Sequence, residues 1–399
     1  MTWSQLWDVV VIGSGPAGAA AAIGALAECP DAAVLLLDRS DFPRDKCCGD
    51  GVLVRSLELL AARGVDADAM VRGYAFTRAL VIRSAAGGIT AERDLPVPLT
   101  IVPRYVFDER LLAAARAAGA QWRRHLVRTV RDMGGYVEVD GRIRTRVLIG
   151  ADGAESVVRR AVIAHGTRRE IAVAIRGYDR ADAGTGTDVP RVILDKGHGL
   201  AYAWRFPTTS GPANVGYGYR LAPGESTDRR RLLATLQRLL PSAEPDPRTL
   251  HAHRLPLSTS KQSVGRGRIL LAGDAASLIN PISGEGIYYA IGSGLEAGRV
   301  AVQDPAHAAV RYRAALAREF RVHHAHAEIM SRLIRWDAVV DAGLRAAQKN
   351  QRAFDDLAML CLGTGVITPS LAARIGAQLI RAADPRAAKV ALTGARATT

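Results

Sequence analysis

Three glycines and an aspartate near the amino terminus have the types and spacing to bind a dinucleotide. Gly13, Gly15 and Gly18 form a G-x-G-x-x-G pattern directly after the apolar run 7–12, and Asp38 follows later. The first glycine of such a pattern allows a tight turn, the second lets the backbone approach a pyrophosphate, and the third permits close helix–strand packing. A carboxylate after the next strand can accept hydrogen bonds from ribose hydroxyls. These residues predict a dinucleotide site.

The elements that must position these residues are also visible in the sequence. The run 7–12 predicts a buried parallel strand, 19–27 an Ala-rich helix, and 33–37 a second buried strand. The amino terminus of the helix would face the phosphate charge. Because Asp38 disfavours a phosphate on the ribose, the dinucleotide is predicted to be FAD or NAD rather than NADP.

Two further strand-to-turn-to-helix steps follow downstream. The run 147–150 leads into 151–160, and the run 268–272 leads into a Gly-Asp turn at 273–274. A carboxylate at a strand end can hold a polyol hydroxyl, and a glycine-rich helix start can receive an electron-rich ring edge. Three such turns at the carboxyl ends of one parallel sheet suit a long ligand.

These segments together resemble the fingerprints of FAD-dependent oxidoreductases built like the aromatic hydroxylases. The fingerprint segments are GSGPAG at 13–18 with Asp38, GADGAESVVRR at 150–160 and GDAASLINPISGEGI at 273–287. Two more resemble the geranylgeranyl reductase family, namely FPRDKCCGDG at 42–51 and YAWRFP at 202–207 followed by Asn214-Val215-Gly216. The resemblance implies an α/β fold with a Rossmann-type FAD-binding domain, an inserted, mostly antiparallel substrate sheet and a C-terminal helical region.

The resemblance also implies which residues contact non-covalently bound FAD. They are Gly13, Gly15, Ala17, Gly18, Asp38, Arg39, Cys48, Gly49, Gly51, Arg104, Val127, Asp274, Gly284, Gly286 and Ile287. Arg104 matches an arginine segment that contacts the pyrophosphate in the family, although a surface arginine opening a helix at 105–118 would have the same sequence. Asp274 is alternatively a strand-end turn acid.

Cys48 is the candidate catalytic residue, because in the family the corresponding cysteine lies beside the flavin ring. Arg44 and Lys46 would favour its thiolate, whereas burial would oppose it. Two roles remain open: a proton donor, or a small residue packed on the flavin. Since Cys47 precedes it, which of the two thiols faces the ring is also open.

Tyr202, Trp204 and Phe206 alternate along a β-like run, which places three aromatic rings on one face of a strand. The same pattern is typical of an ordinary core strand, but the resemblance favours substrate binding. His323, His324 and His326 have no metal-ligand spacing, so no metal is expected, and a solvated helix face is the prediction.

Domain boundaries follow from these segments. The FAD-binding domain is predicted at 1–70, 101–165 and 262–305, and the substrate-binding domain at 71–100 and 166–261. The second pair of ranges contains β-like runs separated by turn signals, which predicts an inserted sheet. Residues 306–399 are Ala-, Arg- and Leu-rich and predict a C-terminal helical region.

Composition excludes several classes of protein. Of 399 residues, 48% are hydrophobic and 23% charged, and four cysteines form no CxxC pair, which predicts a globular cytoplasmic protein. No apolar run reaches the roughly 18 residues of a membrane span. The net charge is +14, but no basic run carries interleaved aromatics, so nucleic acid is not an expected partner. Basic residues can attract anionic headgroups, so peripheral membrane contact is an expectation.

The predicted activity is reduction of carbon–carbon double bonds in a prenyl substrate, with hydride from flavin N5. No second dinucleotide pattern is present, so NAD(P)H would bind transiently, or an electron-donor protein would replace it. The alternative is an FAD-dependent monooxygenase, a hydroxylase or epoxidase acting on an apolar natural product, because the same fingerprints serve oxygen insertion.

Overall fold

The computed structural model describes residues 5–85, 88–163, 169–180, 189–195, 201–209, 211–259 and 263–383. Each of the predicted domain ranges therefore lies partly outside the described residues, 166–261 and 306–399 to the largest extent. The strands within the described part are β1 Leu6–Ile12, β2 Val34–Asp38, β3 Gly51–Leu53, β4 Phe76–Ser84, β5 Thr90–Ile101, β6 Gln121–Arg124, β7 Val130–Asp132, β8 Val137–Val139, β9 Ile143–Gly150, β10 Glu170–Tyr178, β11 Arg191–Leu194, β12 Ala201–Thr208, β13 Gly211–Arg220, β14 His251–Leu257, β15 Gly265–Arg266 and β16 Ile269–Leu271. The helices are α1 Pro16–Glu28, α2 Val54–Ala61, α3 Ala67–Val71, α4 Arg104–Ala117, α5 Val157–Val162, α6 Arg229–Leu239, α7 Ile287–Gln303, α8 Ala308–Leu333, α9 Asp337–Lys349, α10 Gln351–Leu362 and α11 Pro369–Ala383.

The first sheet contains the predicted parallel strands. Its order is β15-β16-β9-β1-β2-β6, and the four neighbouring pairs from β16 to β6 are parallel. Ile12 is in register with both Leu37 and Gly150, so the carboxyl ends of three strands align at one edge. The central strands are buried on both faces over 9–12, 34–37 and 147–150, which explains the uninterrupted apolar sequence of these stretches.

Helices α1 and α7 pack on this sheet with their backbones unusually close. A Cβ at Gly294 would lie 2.2 Å from the Ala17 carbonyl oxygen, and one at Gly298 would lie 1.9 Å from that of Ala21. Gly24 on α1 approaches the Leu295 carbonyl in the same way. Small residues therefore set the position of α1, and with it the glycine turn that precedes α1.

The second sheet has the order β14-β10-β13-β12-β11-β4-β5-β3. Its pairings are antiparallel except for the parallel pair β11 and β4. These two sheets and the helices that follow confirm the predicted α/β fold class. Strand β3 belongs to the second sheet, although the sequence placed residues 51–53 in the FAD-binding part; the domain boundaries stay a prediction.

Helices α8 to α11 follow the two sheets. Phe320 of α8 packs in the main core with Tyr289 of α7, and a separate apolar cluster joins α8, α9, α10 and α11. No helix in the described part of the chain is long and apolar enough to cross a membrane.

Candidate active site

The glycine turn between β1 and α1 has the geometry that the sequence predicted. Gly13 has a φ of +95°, and a Cβ there would lie 2.3 Å from the Ala151 carbonyl oxygen. A Cβ at Gly18 would lie 1.8 Å from the Gly13 carbonyl oxygen. Neither position can carry a side chain: Gly13 packs on the turn that follows β9, and Gly18 packs on the backbone of the first turn itself.

Asp38, at the end of β2, is buried beside this turn. Its Oδ2 accepts a hydrogen bond of 2.7 Å from the Ser14 backbone N–H, and its Oδ1 accepts one of 2.9 Å from that of Ser40. Each carboxylate oxygen keeps a second lone pair for a ribose hydroxyl. Arg39 is exposed, and Val127 is buried in the segment that follows β6.

The first turn fits a dinucleotide such as FAD. The Ser14 hydroxyl oxygen is buried and has no hydrogen-bond partner among the described residues. Gly15 opens helix α1 without a side chain, and a Cβ built there would lie 3.1 Å from an Arg44 guanidinium nitrogen. An unpartnered hydroxyl, a helix amino terminus and a guanidinium around one glycine form a cradle for a pyrophosphate.

Arg104 is buried rather than a surface arginine. Its guanidinium donates two hydrogen bonds of 2.7 Å to the Asp108 carboxylate, and Arg44 lies 3.5 Å from the same carboxylate. Burial lowers the pKa of Arg104 and the Asp108 carboxylate raises it, with a net rise, so the guanidinium stays charged. The Arg104–Asp108 pair thus fixes a charged guanidinium near the first turn, where a pyrophosphate would lie.

The second and third turns join the first. Asp152 accepts hydrogen bonds from the Ser156 hydroxyl at 2.5 Å and from the Val157 backbone N–H at 2.7 Å, and so caps α5. Arg159 of α5 donates a hydrogen bond of 2.9 Å to the Ala275 carbonyl in the third turn. All three predicted turns therefore meet at the carboxyl edge of the first sheet.

Asp274 of the third turn pairs with Lys46 at 3.0 Å. Burial raises the pKa of this carboxyl, but Lys46 together with His253 and Arg104 lowers it more, so Asp274 is ionised. Gly284, with a φ of +74°, and Gly286, which precedes α7, complete a glycine-rich wall beside Asp274. This wall can receive a ring edge at the amino terminus of α7.

The segment around Cys48 is held by the second sheet. Arg176 of β10 is fully buried, forms a two-bond fork with Asp45 at 2.7 and 2.9 Å, and donates to the Lys46 and Cys48 carbonyls. Asn214 of β13 donates a second hydrogen bond, of 2.8 Å, to the Cys48 carbonyl. Residues 45–48 therefore have their position set by the strands that would bind substrate.

The two cysteines have different surroundings. The Cys47 thiol points at the Ala174 carbonyl oxygen, at 3.8 Å. Burial raises the pKa of the Cys48 thiol more than the nearby Arg104 guanidinium lowers it. The two cations expected to favour the thiolate are engaged elsewhere, Lys46 with Asp274 and Arg44 with Asp108. The Cys48 thiol consequently keeps its proton at neutral pH.

Asp50 was missed by the sequence reasoning. It is fully buried, and its Oδ2 accepts hydrogen bonds of 2.7 Å from the Tyr178 hydroxyl and from the Asn214 side chain. Its other oxygen is buried without a partner in the described part of the chain. Burial raises the pKa of this carboxyl to about 6. The one signal in the sequence is that Asp50 stands between two glycines. In the structure its φ is +63°, an unusual value for a residue other than glycine.

Tyr202, Trp204 and Phe206 lie side by side on β12. Ring centroids are 5.8 Å apart for the first pair and 6.3 Å for the second. The Trp204 indole N–H donates a hydrogen bond of 2.8 Å to Asn214, and the Tyr202 hydroxyl donates to the Ser283 carbonyl. A Cβ at Gly49 would lie 3.1 Å from the Phe206 ring, so the aromatic row directly faces the cysteine segment.

One cavity of about 380 Å³ collects many of the predicted residues. Those that line it are Cys48, Gly49, Gly51, Arg104, Tyr202, Trp204, Phe206, Asp274, Gly284, Gly286 and Ile287. Those that do not line it are Gly13, Gly15, Ala17, Gly18, Asp38, Arg39 and Val127. The second group lies around the first turn and the end of β2, where the nucleotide end of a long ligand would lie.

The C-terminal helices supply much of the remaining cavity wall. Met330, Leu344, Phe354, Leu357 and Ile375 line it together with apolar residues of the second sheet. The sequence predicted helices here but no role for them, because an amphipathic pattern does not identify what the apolar face covers. The wall also contains Glu285, whose pKa is raised by burial to about 7.

The prediction of a solvated histidine face on α8 is wrong. His323 and His324 are buried, because they stack with Tyr289 and Phe320 at the junction of α7 and α8. His323 is also within 2.7 Å of both the Tyr289 hydroxyl and the Gly365 carbonyl. The described residues contain no cluster of three metal-ligating side chains.

Comparison with known proteins defines the class. The FAD binding domain family matches residues 7–299, more than half of the chain. Solved structures with this fold include a geranylgeranyl bacteriochlorophyll reductase-like protein from Thermoplasma acidophilum, with a TM-score of 0.76 and 22% identity over 93% of this chain and 96% of that one. A flavin-dependent brominase has a TM-score of 0.66 and 18% identity, over 90% and 93%. The protein is an FAD-dependent oxidoreductase.

Two relatives narrow this class. A menaquinone reductase from Mycolicibacterium smegmatis is 34% identical over 321 residues, which covers 74% of this chain and 75% of the relative. A digeranylgeranylglycerophospholipid reductase from Methanopyrus kandleri is 30% identical over 314 residues, which covers 74% and 77%. The chain belongs to the geranylgeranyl reductase family of FAD-dependent oxidoreductases.

Proposed function

We propose that this protein reduces carbon–carbon double bonds in an isoprenoid substrate. The observation that carries the proposal is the position of Cys48: its protonated thiol lies in the wall of an apolar cavity, between the turns that fit FAD and a row of aromatic rings. The names of the two relatives support a prenylated quinone or a prenyl lipid as the substrate.

FAD would be held along the edge where the three turns meet. The glycine turn with Ala17, together with Arg104, would bind the pyrophosphate, and Asp38, Arg39 and Val127 would surround the adenosine part. Asp274, with the wall of Gly284, Gly286 and Ile287, would hold the ribityl chain and the ring edge, and Cys48, Gly49 and Gly51 would contact the ring. Once reduced with two electrons by its donor, the bound flavin would supply a hydride from N5 to one alkene carbon.

The protein's own residues would manage the proton and the charge. An isolated alkene has no carbonyl to accept charge, so a proton must reach the second carbon from the protein. The Cys48 Sγ is the donor that we assign, because burial keeps it protonated. The faces of Tyr202 and Trp204 would stabilise cationic character in the substrate, and the C-terminal helices would exclude water.

The electron donor and the place of the protein in the cell follow from the proposed reaction. NAD(P)H would bind only transiently, or an electron-donor protein would take its place, because the sequence contains no second dinucleotide pattern. A substrate of this class is dissolved in a bilayer. A cytoplasmic protein in peripheral contact with the membrane is therefore the arrangement that we propose.

The test is an anaerobic single-turnover experiment. FAD-loaded protein is reduced with one equivalent of dithionite, a geranylgeranyl lipid without a quinone ring is added in detergent, and flavin absorption and product mass are followed. Reoxidation of the flavin with a gain of two hydrogen atoms per reduced bond is expected. A substrate that leaves the flavin reduced would contradict alkene reduction.

The same experiment in air tests the alternative. A monooxygenase shares this fold, as the brominase does, and would act only with oxygen. An added oxygen atom in the product, labelled from ¹⁸O₂, would replace alkene reduction by hydroxylation or epoxidation as the function.

A further inference from the structure

A glutamate lies in the wall of the cavity, at the start of α7. Glu285 stands between Gly284 and Gly286, and its side chain lines the same cavity as Cys48. Its Oε1 accepts a hydrogen bond of 2.9 Å from the Tyr288 backbone N–H, which fixes the carboxyl group at the helix start. An ionisable group held in an apolar cavity, in the same wall as a proton donor, is a candidate for a role in the chemistry.

The aromatic row on β12 contacts both the loop before α7 and the cysteine segment. A Cβ at Gly284 would lie 3.4 Å from the Tyr202 hydroxyl oxygen, and one at Gly49 would lie 3.1 Å from the Phe206 ring. These two glycines are the chain neighbours of the glutamate and of the second cysteine. The carboxyl group and the thiol therefore belong to one stretch of the cavity wall, along a single row of rings.

The charges of the two groups interact. Burial raises the pKa of the Cys48 thiol, and the negative charges of Asp50 and Glu285 add to this rise. The other titratable or charged groups that interact with Glu285 lie on α4, β12 and α7, and they are Arg104, Tyr202 and Tyr289. A thiolate at Cys48 and a carboxylate at Glu285 thus oppose each other, so the pair favours holding a proton.

Glu285 exchanges its proton near neutral pH. Burial raises the pKa of its carboxyl to about 7, although nearby backbone N–H groups and the Arg104 guanidinium lower it. The pKa of Arg104 is raised by Asp108, and that of the Tyr202 hydroxyl is raised by burial. Glu285 can therefore both release and take up a proton near pH 7, which neither Arg104 nor Tyr202 can do.

The proposed reaction leaves the Cys48 sulfur without its proton. The S–H bond breaks as a C–H bond forms on the alkene, and the thiolate must regain a proton before the next turnover. The cavity wall is mainly apolar, so a proton source within the cavity is needed. Asp50 is the other carboxyl group near the thiol, but it does not line the cavity, and its Oδ2 accepts from Tyr178 and Asn214.

We propose that Glu285 is the acid that returns a proton to the Cys48 thiolate after each turnover. The O–H bond of the carboxyl group breaks, its electron pair stays on the carboxylate oxygen, and the S–H bond forms again. The carboxylate then takes a proton from solvent when the product leaves. The interaction of the two charges stands on the structure alone, whereas the proton return rests on the proposed function.

The first test needs no substrate. Alkylation of Cys48 by iodoacetamide is followed by peptide mass spectrometry in the FAD-loaded full chain, because only the thiolate reacts. At alkaline pH, Glu285→Gln should react several-fold faster than the parent, since a charge that opposes the thiolate is gone. Below pH 7 the gain should disappear, because Glu285 of the parent is itself uncharged there. A more open cavity would instead raise the rate at every pH, and that result would contradict the interaction.

Two features keep this comparison sharp. Glutamine can keep the oxygen that accepts from the Tyr288 backbone N–H, so the start of α7 should be preserved. Glu109→Gln is the matched control, because Glu109 is an exposed glutamate on α4. This variant should leave the alkylation rate of Cys48 at the parent value.

The second test traps the thiolate after one turnover. Protein reduced with one equivalent of dithionite reacts with a geranylgeranyl lipid without air, and methyl methanethiosulfonate is added at once. Glu285→Gln should complete this first turnover at the parent rate, because its Cys48 starts with a proton. Its modified fraction of Cys48 should then be about tenfold that of the parent. In the parent this fraction should rise above pH 7, where Glu285 loses its proton.

The outcomes separate this proposal from alkene reduction. If the flavin is reoxidised but Glu285→Gln traps no more thiolate than the parent, alkene reduction stands and Glu285 does not return the proton. If the lipid leaves the flavin reduced while Glu285→Gln still speeds alkylation, the interaction stands, and alkene reduction and the proton return both fail. A larger trapped fraction in Asp50→Asn than in Glu285→Gln would assign the proton return to Asp50.

Discussion

Proton delivery to an unactivated alkene requires an acid that is still protonated when the substrate arrives. Cys48 meets this condition because burial raises the pKa of its thiol. General acids typically contribute about 10²- to 10⁴-fold to a rate. We therefore expect Cys48→Ala to slow substrate-dependent flavin reoxidation about 100-fold or more in a single turnover, with FAD affinity within a few-fold of the parent.

Cys47→Ser provides the comparison for this substitution. The Cys47 thiol contacts the Ala174 carbonyl, so serine can keep that contact and the rate should stay close to the parent. If Cys48→Ala reoxidised the flavin at the parent rate, Cys48 would not be the proton donor. It would then have the other role left open by the sequence, that of a small residue packed on the flavin.

Asp50 makes the stability of the fold depend on pH. Burial raises its pKa from 3.8 to about 6, so between these values the folded protein holds a proton that the unfolded chain has released. The free energy of unfolding must then fall as pH rises through this window, by about 3 kcal/mol for this group. Asp50→Asn removes the contribution.

Denaturant unfolding at pH 4 and pH 7 tests this sign. The difference in unfolding free energy between Asp50→Asn and the parent should move in favour of the variant by up to about 3 kcal/mol from pH 4 to pH 7. A difference that does not change with pH would contradict the raised pKa. The amide is a suitable probe because it can keep the oxygen that accepts from Tyr178 and Asn214.

Residues in local patterns could be predicted, whereas residues that act through distant partners could not. Gly13 and Gly18 are recognisable because their roles depend on neighbours in the chain. Asp50 and its partner Tyr178 are 128 positions apart, as are Cys48 and Arg176, and these contacts exist only once β10 has folded. No spacing in the sequence reports such a contact.

At the scale of elements, the crossing of α1 and α7 positions the first turn. Ala at Gly294 would place a Cβ 2.2 Å from the Ala17 carbonyl oxygen, and backbone must move to relieve this contact. Overpacking of this kind costs about 1–3 kcal/mol. We expect Gly294→Ala to lower the unfolding free energy by that amount and to weaken FAD binding, measured by flavin fluorescence titration.

Gly376→Ala on α11 is the matched control. A Cβ there would contact nothing within 4 Å, so the helix propensity of Ala should stabilise the protein by up to about 1 kcal/mol. FAD affinity should be unchanged. Stabilisation by Gly294→Ala as well would mean that the close approach of the two helices is not required.

The elements of the first sheet were predictable because their signals are strong. A buried parallel strand has a continuous apolar run, and a turn that must approach another backbone requires glycine. Strand β3 and the parallel pairing of β11 with β4 were not predictable, since pairing partners in a mixed sheet depend on the course of the whole chain. The packing of α8 to α11 against the cavity could not be predicted for the same reason.

At the scale of the whole molecule, the cavity is lined by strands of the second sheet, by the turns at the carboxyl edge of the first sheet and by helices that are distant from them in sequence. Leu344 of α9 is buried and lines it. An indole at this position would occupy space that a long chain needs. We expect Leu344→Trp to raise the KM for a long prenyl substrate about tenfold and to leave a short prenyl substrate nearly unaffected.

Val310 is an exposed position on the neighbouring helix α8, so Val310→Trp should leave the KM for both substrates unchanged. If Leu344→Trp raised the KM for long and short substrates equally, with an unchanged melting temperature, the prenyl chain would not bind beside Leu344.

The fork between Arg176 and Asp45 has an evolutionary consequence. The loop that carries Cys48 precedes its anchoring strand β10 by more than a hundred residues, yet hydrogen bonds tie it to that strand. Recombination that exchanged 170–257 for a homologous sheet without an arginine at this place would release the loop. A graft that imports a new specificity therefore has to bring 45–50 with it, so that the arginine and the loop it holds are exchanged together.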